Sequence, residues 1–249
     1  MENMQFFYEL YEGLPRCGPG DNDSTRRAYS EMSDIPEKPD ILDIGSGTGT
    51  QTLEIARLSR GRVIALDNHQ PFLDTLVANA SEEGLHEHIR VLCQSMLEME
   101  FEKESFDVVW SEGALYFMGF QNGLKTCHSL LKAGGYAAVS EAVYLRPDPP
   151  GAVVELWQSE YPDISNIDGK IADIEQENYQ LVTHFTLPES AWLESYYLPM
   201  EKRIVELRRK YKNNEEAQKV LNEAQGEIDF YREYSQYYGY EFFVLQKSS

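Results

Sequence analysis

The chain has 249 residues, 42% of them apolar, which is enough for one α/β domain with extra elements around a sizeable core. Its 42 acidic side chains outnumber 22 basic ones, and a net charge of −20 repels phosphate backbones, so no nucleic-acid partner is expected. No apolar run approaches the roughly 20 residues that span a bilayer, and Met1-Glu2-Asn3-Met4-Gln5 lacks the charged-then-apolar order of a leader, which predicts a cytoplasmic protein with no membrane partner. Residues 4 to 13 read as an aromatic helix closed by Gly13. The loop Leu14-Pro15-Arg16-Cys17-Gly18-Pro19-Gly20-Asp21 follows, and Ser24-Thr25 leads into a second helix ending near Met32.

From Pro39 the pattern alternates. Strands are predicted near 40–44, 62–67, 89–93, 106–111 and 135–141, with helices near 50–60, 70–83 and 120–131, and Gly134-Gly135 as the turn into the fifth strand. Such alternation predicts an α/β fold with a parallel, doubly wound sheet and right-handed crossovers. Pro147, Pro149 and Pro150 end this region; a helix over Ala152 to Ser159, another near 169–177 and strands at Tyr179 to Leu187 and Tyr238 to Gln246 complete the reading. Between those last strands, Ile204, Leu207 and Tyr211, then Val220, Ala224, Ile228 and Tyr231, repeat at helical period, and Asn213-Asn214 before Glu215-Glu216 looks like a helix cap. The organisation is a helical cap (1–38), a core (39–187), a helical insertion (188–236) and a last strand (237–249). An insertion over the carboxyl ends of the strands would be a lid; one along the sheet edge would not.

Ile41-Leu42-Asp43-Ile44-Gly45-Ser46-Gly47-Thr48-Gly49 carries the chemistry: an apolar strand breaks into three alternate glycines that let backbone N–H groups approach a ligand. A dinucleotide fingerprint, G-x-G-x-x-G, would need glycine where Thr50 stands. The acid two places before the first glycine suits a ligand with an ammonium end rather than a pyrophosphate. A second apolar strand, Arg62-Val63-Ile64-Ala65-Leu66, ends in Asp67, about 20 residues on, where a carboxylate can accept from both ribose hydroxyls.

In these two motifs the chain resembles the class I S-adenosylmethionine-dependent methyltransferases. The resemblance implies a seven-stranded, mostly parallel Rossmann-like sheet, S-adenosyl-L-methionine as cofactor and a small-molecule acceptor. In that family the last two strands form an edge hairpin; here the insertion separates them. The resemblance implies that Gly45, Ser46, Gly47 and Gly49 cradle the cofactor, that Asp43 orders the turn and holds the methionine ammonium directly or through water, and that Asp67 takes the ribose while its neighbours Asn68 and His69 flank the adenine, or form a simple turn. At the third strand end many relatives have Gly-Asp; here Ser95 can accept through its hydroxyl and Met96 can cover the purine face, or fill core. Gly13 to Gly20 with Ser24-Thr25-Arg26, the exit Ser111-Glu112-Gly113-Ala114 and the tail Tyr237-Tyr238-Gly239-Tyr240 are similar to an uncharacterised group of bacterial and archaeal methyltransferases, a likeness that covers nearly the whole chain and implies no defined substrate. Arg16 is expected to pair with the cofactor carboxylate, since a guanidinium suits two oxygens.

Methyl transfer needs an aligned acceptor more than a dedicated nucleophile. Glu112 and Tyr116 are the catalytic candidates: they lie in an aromatic-rich strand exit beside Ser111, itself expected to bind the cofactor, where a carboxylate can orient or deprotonate an acceptor and rings can hold a cationic amine, a contact worth about 0.5–2 kcal/mol. Rings packed under a helix are the plainer account of the same residues. Glu141 is a second carboxylate on that rim. The basic run Lys202, Arg203, Arg208, Arg209, Lys210 and Lys212 reads as a solvated helix face. Cys17, Cys93 and Cys127 read as free thiols, the histidines are scattered, no metal site is expected, and a homodimer is left open. The competing functions are a non-catalytic S-adenosylmethionine or S-adenosylhomocysteine binding protein, with the insertion as partner surface, and an NAD-dependent oxidoreductase.

Overall fold

Strand β1 (Asp40–Ile44) is buried from Ile41 to Ile44, as a central parallel strand must be when both of its faces are covered. In the computed structural model, which describes residues 2–248, β1 pairs with β2 (Arg62–Asp67) on one side and with β4 (Phe106–Glu112) on the other. Strands β3 (Ile89–Cys93), β5 (Leu131–Tyr144), β7 (Tyr179–Thr186) and β8 (Tyr238–Lys247) complete the order β3-β2-β1-β4-β5-β8-β7, and the two-residue β6 (Ser165–Asn166) pairs with β5. All pairs from β3 to β5 are parallel; β8 runs antiparallel to both β5 and β7. Strand order reverses beside β1, so a crevice opens at the carboxyl ends of β1 and β4, where open α/β sheets bind ligands. Met1 and Ser249, the outer ends of the expected cap and last-strand segments, lie outside the described residues.

Alternate residues of the central strands face two different cores. Leu42, Ile44, Val109 and Val139 pack with Leu124 and Cys127 of α5 (Phe120–Leu130) and Ile174 of α7 (Ile167–Gln176). On the opposite face Ile41, Val108 and Trp110 meet Ala28 of α2 (Asn22–Ser30) and Ile55 of α3 (Thr50–Ser59). Each large apolar side chain buried in this way contributes about 1.5–3 kcal/mol. Helix α4 (Gln70–Glu82) covers β2 with Leu76 and Ala80.

The expected turn at Gly134-Gly135 is inside β5 instead. That strand already begins at Leu131, and its register against β4 shifts between Phe106 and Val108, with Gly134 at φ +73°. The glycines make a bulge in the strand, an arrangement that local sequence does not distinguish from a turn.

Helix α6 (Gly151–Glu160) precedes β6, and the insertion folds as α8 (Glu189–Trp192), a π turn (Leu193–Tyr197), α9 (Leu198–Lys210) and α10 (Glu215–Tyr234). Pro199, in the first turn of α9, has no N–H to donate and its ring crowds the carbonyl one turn back, so the helix widens ahead of it. Asn214 caps α10 by accepting from Ala217 N at 2.9 Å, as Asn-Asn-Glu-Glu predicts. These helices share a core with Leu10 of α1 (Glu2–Glu12) and with Tyr238, which pairs with Tyr144 at the carboxyl end of β5. Of the two positions open to the insertion, it takes the one at the carboxyl ends. The basic run fastens it there: Lys210 Nζ and Tyr211 Oη donate to Glu9 of α1 at 2.6 Å each, and Arg203 donates to the Glu9 carbonyl. Among the described residues no helix is long and apolar enough to cross a membrane.

Candidate functional site

The turn after β1 is built against its neighbours. Gly45 N and Ser46 N both donate to the Leu66 carbonyl of β2, at 2.8 and 3.0 Å, and Thr48 and Thr50 hydroxyls donate to the Pro15 carbonyl of the N-terminal loop. Gly45 has φ +74°, and a Cβ there would sit 2.5 Å from Ala114 Cβ and 3.5 Å from Met96 Cε. A Cβ at Gly47, at φ +55°, would meet Cys17 Sγ at 3.1 Å, and Gly49 is the left-handed N-cap of α3. Gly45→Ala is therefore expected to cost about 1–3 kcal/mol of folding free energy, read from urea unfolding, because both the backbone region and the space oppose a side chain.

Asp67 closes β2 one strand away, with Oδ2 accepting from Gly47 N and Oδ1 from His69 N, both at 2.9 Å. The carboxylate keeps lone pairs for two further donors. His69 stacks on Tyr8 of α1 at 3.9 Å between ring centroids and meets Glu12 through Nε2, so the cap helix stands beside this acid, next to exposed Asn68. Met96 reaches over Gly45, as the contact above records, whereas the Ser95 hydroxyl is used locally, accepting from Leu97 N in a short 3-10 turn.

Asp43 is fully buried. Its Oδ2 accepts from Thr52 Oγ1 at 2.5 Å and from Gln51 Nε2 at 3.4 Å, while Oδ1 has no partner; the Ser46 hydroxyl is likewise buried and unpartnered. Burial pushes the Asp43 carboxyl up to about 7, and the charges of Glu112 and Asp67 add to the shift. An acid left with one bare oxygen beside a glycine cradle is the environment an ammonium would complete. Cys17, which the sequence did not single out for the site, covers the same turn as a neutral thiol, its pKa pushed up to about 12 by burial.

Three of the expected site residues are engaged by groups of the chain itself. Arg16 is buried and directed at Glu112, with Nη1 to Glu112 Oε2 at 2.9 Å and Nη2 to Asn22 Oδ1 at 2.8 Å, so it is not a free partner for a ligand carboxylate. Glu112 Oε1 accepts in turn from Thr25 Oγ1 at 2.8 Å and Trp110 Nε1 at 3.0 Å. Both of its oxygens accept from the chain's own donors, which fastens the N-terminal loop to β4. Ser111 is wholly buried and donates to the Ile44 carbonyl, tying β4 to β1.

Tyr116 lies in the 3-10 turn Leu115–Met118 after β4, half-buried, its ring 5.8 Å from that of Tyr161. Next to it is a buried polar cluster of which the sequence reading had only the acid, Glu141. Glu141 of β5 is 1% exposed with Oε2 unpartnered, and burial pushes its carboxyl up to about 7. Lys170 of α7 is wholly buried, donating to Tyr161 Oη at 2.7 Å and the Asp163 carbonyl at 3.0 Å; its pKa is lowered by burial. Glu141 was visible as a strand-end acid, but Lys170 reads as an ordinary polar position of an amphipathic helix.

Residues 41–135 match the family model described as a methyltransferase domain. The chain is 28% identical over 108 residues to the sterol 24-C-methyltransferase of Aspergillus fumigatus, covering 43% of this chain and 29% of that one. It is 22% identical over 178 residues to the sarcosine/dimethylglycine N-methyltransferase of Aphanothece halophytica, covering 64% and 62%. It thus spans less than a third of the sterol enzyme's length. Its fold matches that of a SAM-dependent methyltransferase from Geobacter sulfurreducens in complex with S-adenosyl-L-homocysteine, with a TM-score of 0.84 at 18% identity and 97% of each chain covered. The glycine turn and the acid that closes β2 both lie inside the segment that is similar to a methyltransferase domain, and the whole chain has the fold of a SAM-dependent methyltransferase.

Proposed function

We propose that this protein transfers the methyl group of S-adenosyl-L-methionine to a small molecule. The observation that carries the reading is the pairing of Asp43, with its bare Oδ1 under the glycine turn, and Asp67, which is hydrogen-bonded to the same turn from the next strand. Asp43 and Ser46 would take the amino-acid end, the backbone of Gly45, Gly47 and Gly49 its approach, Asp67 the ribose beside Asn68, and Met96 a face of the purine. Bound there, the cofactor supplies a sulfonium methyl group; the chain's part is to align an acceptor with it and exclude water. The insertion shares a core with α1 beside the carboxyl end of β5, and Tyr116 follows β4 directly, so both are candidates to border the acceptor. The three free cysteines fit a reducing, cytoplasmic setting.

Calorimetric titration with S-adenosylhomocysteine tests the cofactor site. Wild type is expected to bind it and not NADH, and Asp67→Ala to lose at least about tenfold in affinity, about 1.4 kcal/mol. Transfer of labelled methyl to any of a panel of amines, thiols, phenols and quinones then separates an enzyme from a binding protein; binding without transfer to any of them would favour the latter.

A further inference from the structure

We propose that α1 is a strap across the cofactor crevice, anchored in the helical insertion and latched by His69, a positioning residue beside the ribose acid. This deepens the methyltransferase reading and rests on it. The crevice lies at the carboxyl ends of β1 and β4, with β2 on one side and β5 and β8 on the other. Helix α1 is attached to both sides. Its Phe6 and Leu10, four residues apart, are buried toward the insertion: Phe6 clusters with Ala217 and Val220 of α10, and Leu10 joins the core that holds Ile204 of α9 and Tyr238 of β8. Tyr8 and Glu12, also four apart, stand two positions round from the first pair and so on the far side of the helix, and both meet His69 just past the end of β2.

The latch is compact. The Tyr8 ring lies on the His69 imidazole with 3.9 Å between centroids and 7° between planes, and Glu12 Oε1 accepts from His69 Nε2 at 2.7 Å. Phe72 of α4 stands edge-on to both rings, with centroids 6.3 Å from Tyr8 and 4.5 Å from His69. The backbone of His69 donates to Asp67 Oδ1 at 2.9 Å, while Asp67 Oδ2 accepts from Gly47 N of the glycine turn. One residue thus holds the ribose acid with its main chain and the strap with its ring.

Of the two attachments, the latch is the one that parts. Toward the insertion α1 buries apolar side chains whose exposure water opposes. The latch is polar and aromatic at the water's edge, with the Glu12 side chain 36% and that of His69 17% exposed, so its groups are solvated as they separate. Behind α1, the Thr48 and Thr50 hydroxyls donate to the Pro15 carbonyl, which keeps the following loop on the glycine turn while the strap swings. The latch groups hold one another and not the ligand, so a closed latch slows entry and exit alike and leaves affinity nearly unmoved. A residue that touched the ligand would change release with little effect on entry.

The test follows S-adenosylhomocysteine on the full chain, its release by chasing labelled with unlabelled ligand and its association by stopped-flow quenching of intrinsic fluorescence, with amide hydrogen exchange reporting on α1. Tyr8→Ala is expected to speed release and association each by at least about tenfold, to hold the equilibrium affinity within about threefold, and to raise exchange in α1 but not in α10. Tyr8→Phe keeps the stack and should keep wild-type rates. His69→Ala should match Tyr8→Ala, and the double variant should be no faster than either, because both remove one contact. Unchanged exchange in α1, faster exchange without faster release, affinity lost through release alone, or additive effects in the double variant would each overturn the proposal. A wild type that failed to bind S-adenosylhomocysteine would instead sink the methyltransferase reading beneath it.

Discussion

Glu112→Ala is expected to destabilise the protein by about 3–5 kcal/mol, because it leaves the Arg16 guanidinium buried without a counter-charge. Both side chains of the pair are only 6% exposed, so solvent screening is weak and the loss should barely change with salt. The same substitution removes the acceptor from Trp110 Nε1 and Thr25 Oγ1, which link β4 and α2. Glu112→Gln keeps an oxygen for those donors but not the charge, and should fall between wild type and alanine. An apolar double replacement, Arg16→Met with Glu112→Leu, should recover most of the loss, since it abolishes the buried charge on both sides at once. Urea unfolding of the four proteins at two salt concentrations checks the series. If Glu112→Gln were as stable as wild type and yet inactive, the carboxylate would belong to the acceptor chemistry after all.

The legible parts of this protein are those specified by neighbours in sequence. The glycine turn was readable because strand, bend and helix follow one another within a few residues, and the Asn214 cap because Asn-Asn-Glu-Glu needs no distant partner. Asp67 was readable from its place at a strand end. Arg16 and Glu112 were each selected as functional, but no local pattern says that residues 96 positions apart meet each other rather than a ligand. Ser111 is similar: that its hydroxyl turns to the Ile44 carbonyl is a property of the pairing of β4 with β1. The Gly134-Gly135 bulge went unread because a paired glycine serves a turn and a bulge equally.

Asp43→Asn should make the ligand-free protein more stable above pH 7 while impairing the cofactor site. With a native pKa of about 7 against an ordinary 3.8, raised chiefly by burial, the folded chain keeps a proton that the unfolded chain releases. Stability contributed by this group therefore falls as pH rises from about 4 to about 7 and stays low above it, the reverse of a salt-bridged acid; the gap corresponds to about 4 kcal/mol. Asparagine escapes that charge penalty but turns an amide toward the position Oδ1 leaves bare, at a cost of about 1–3 kcal/mol. The expected net gain is about 1–3 kcal/mol above pH 7, shrinking to nothing or reversing near pH 4, where Asp43 is protonated in both states. Urea unfolding of the two proteins across that range reads the difference directly. An ammonium seated on Oδ1 favours the ionised form, so saturating S-adenosylhomocysteine should raise the melting temperature of wild type more than that of the variant at pH 8. A wild-type advantage already present without ligand at pH 8 would mean that Asp43 is a satisfied structural acid, and that its unpartnered oxygen is not reserved for the cofactor.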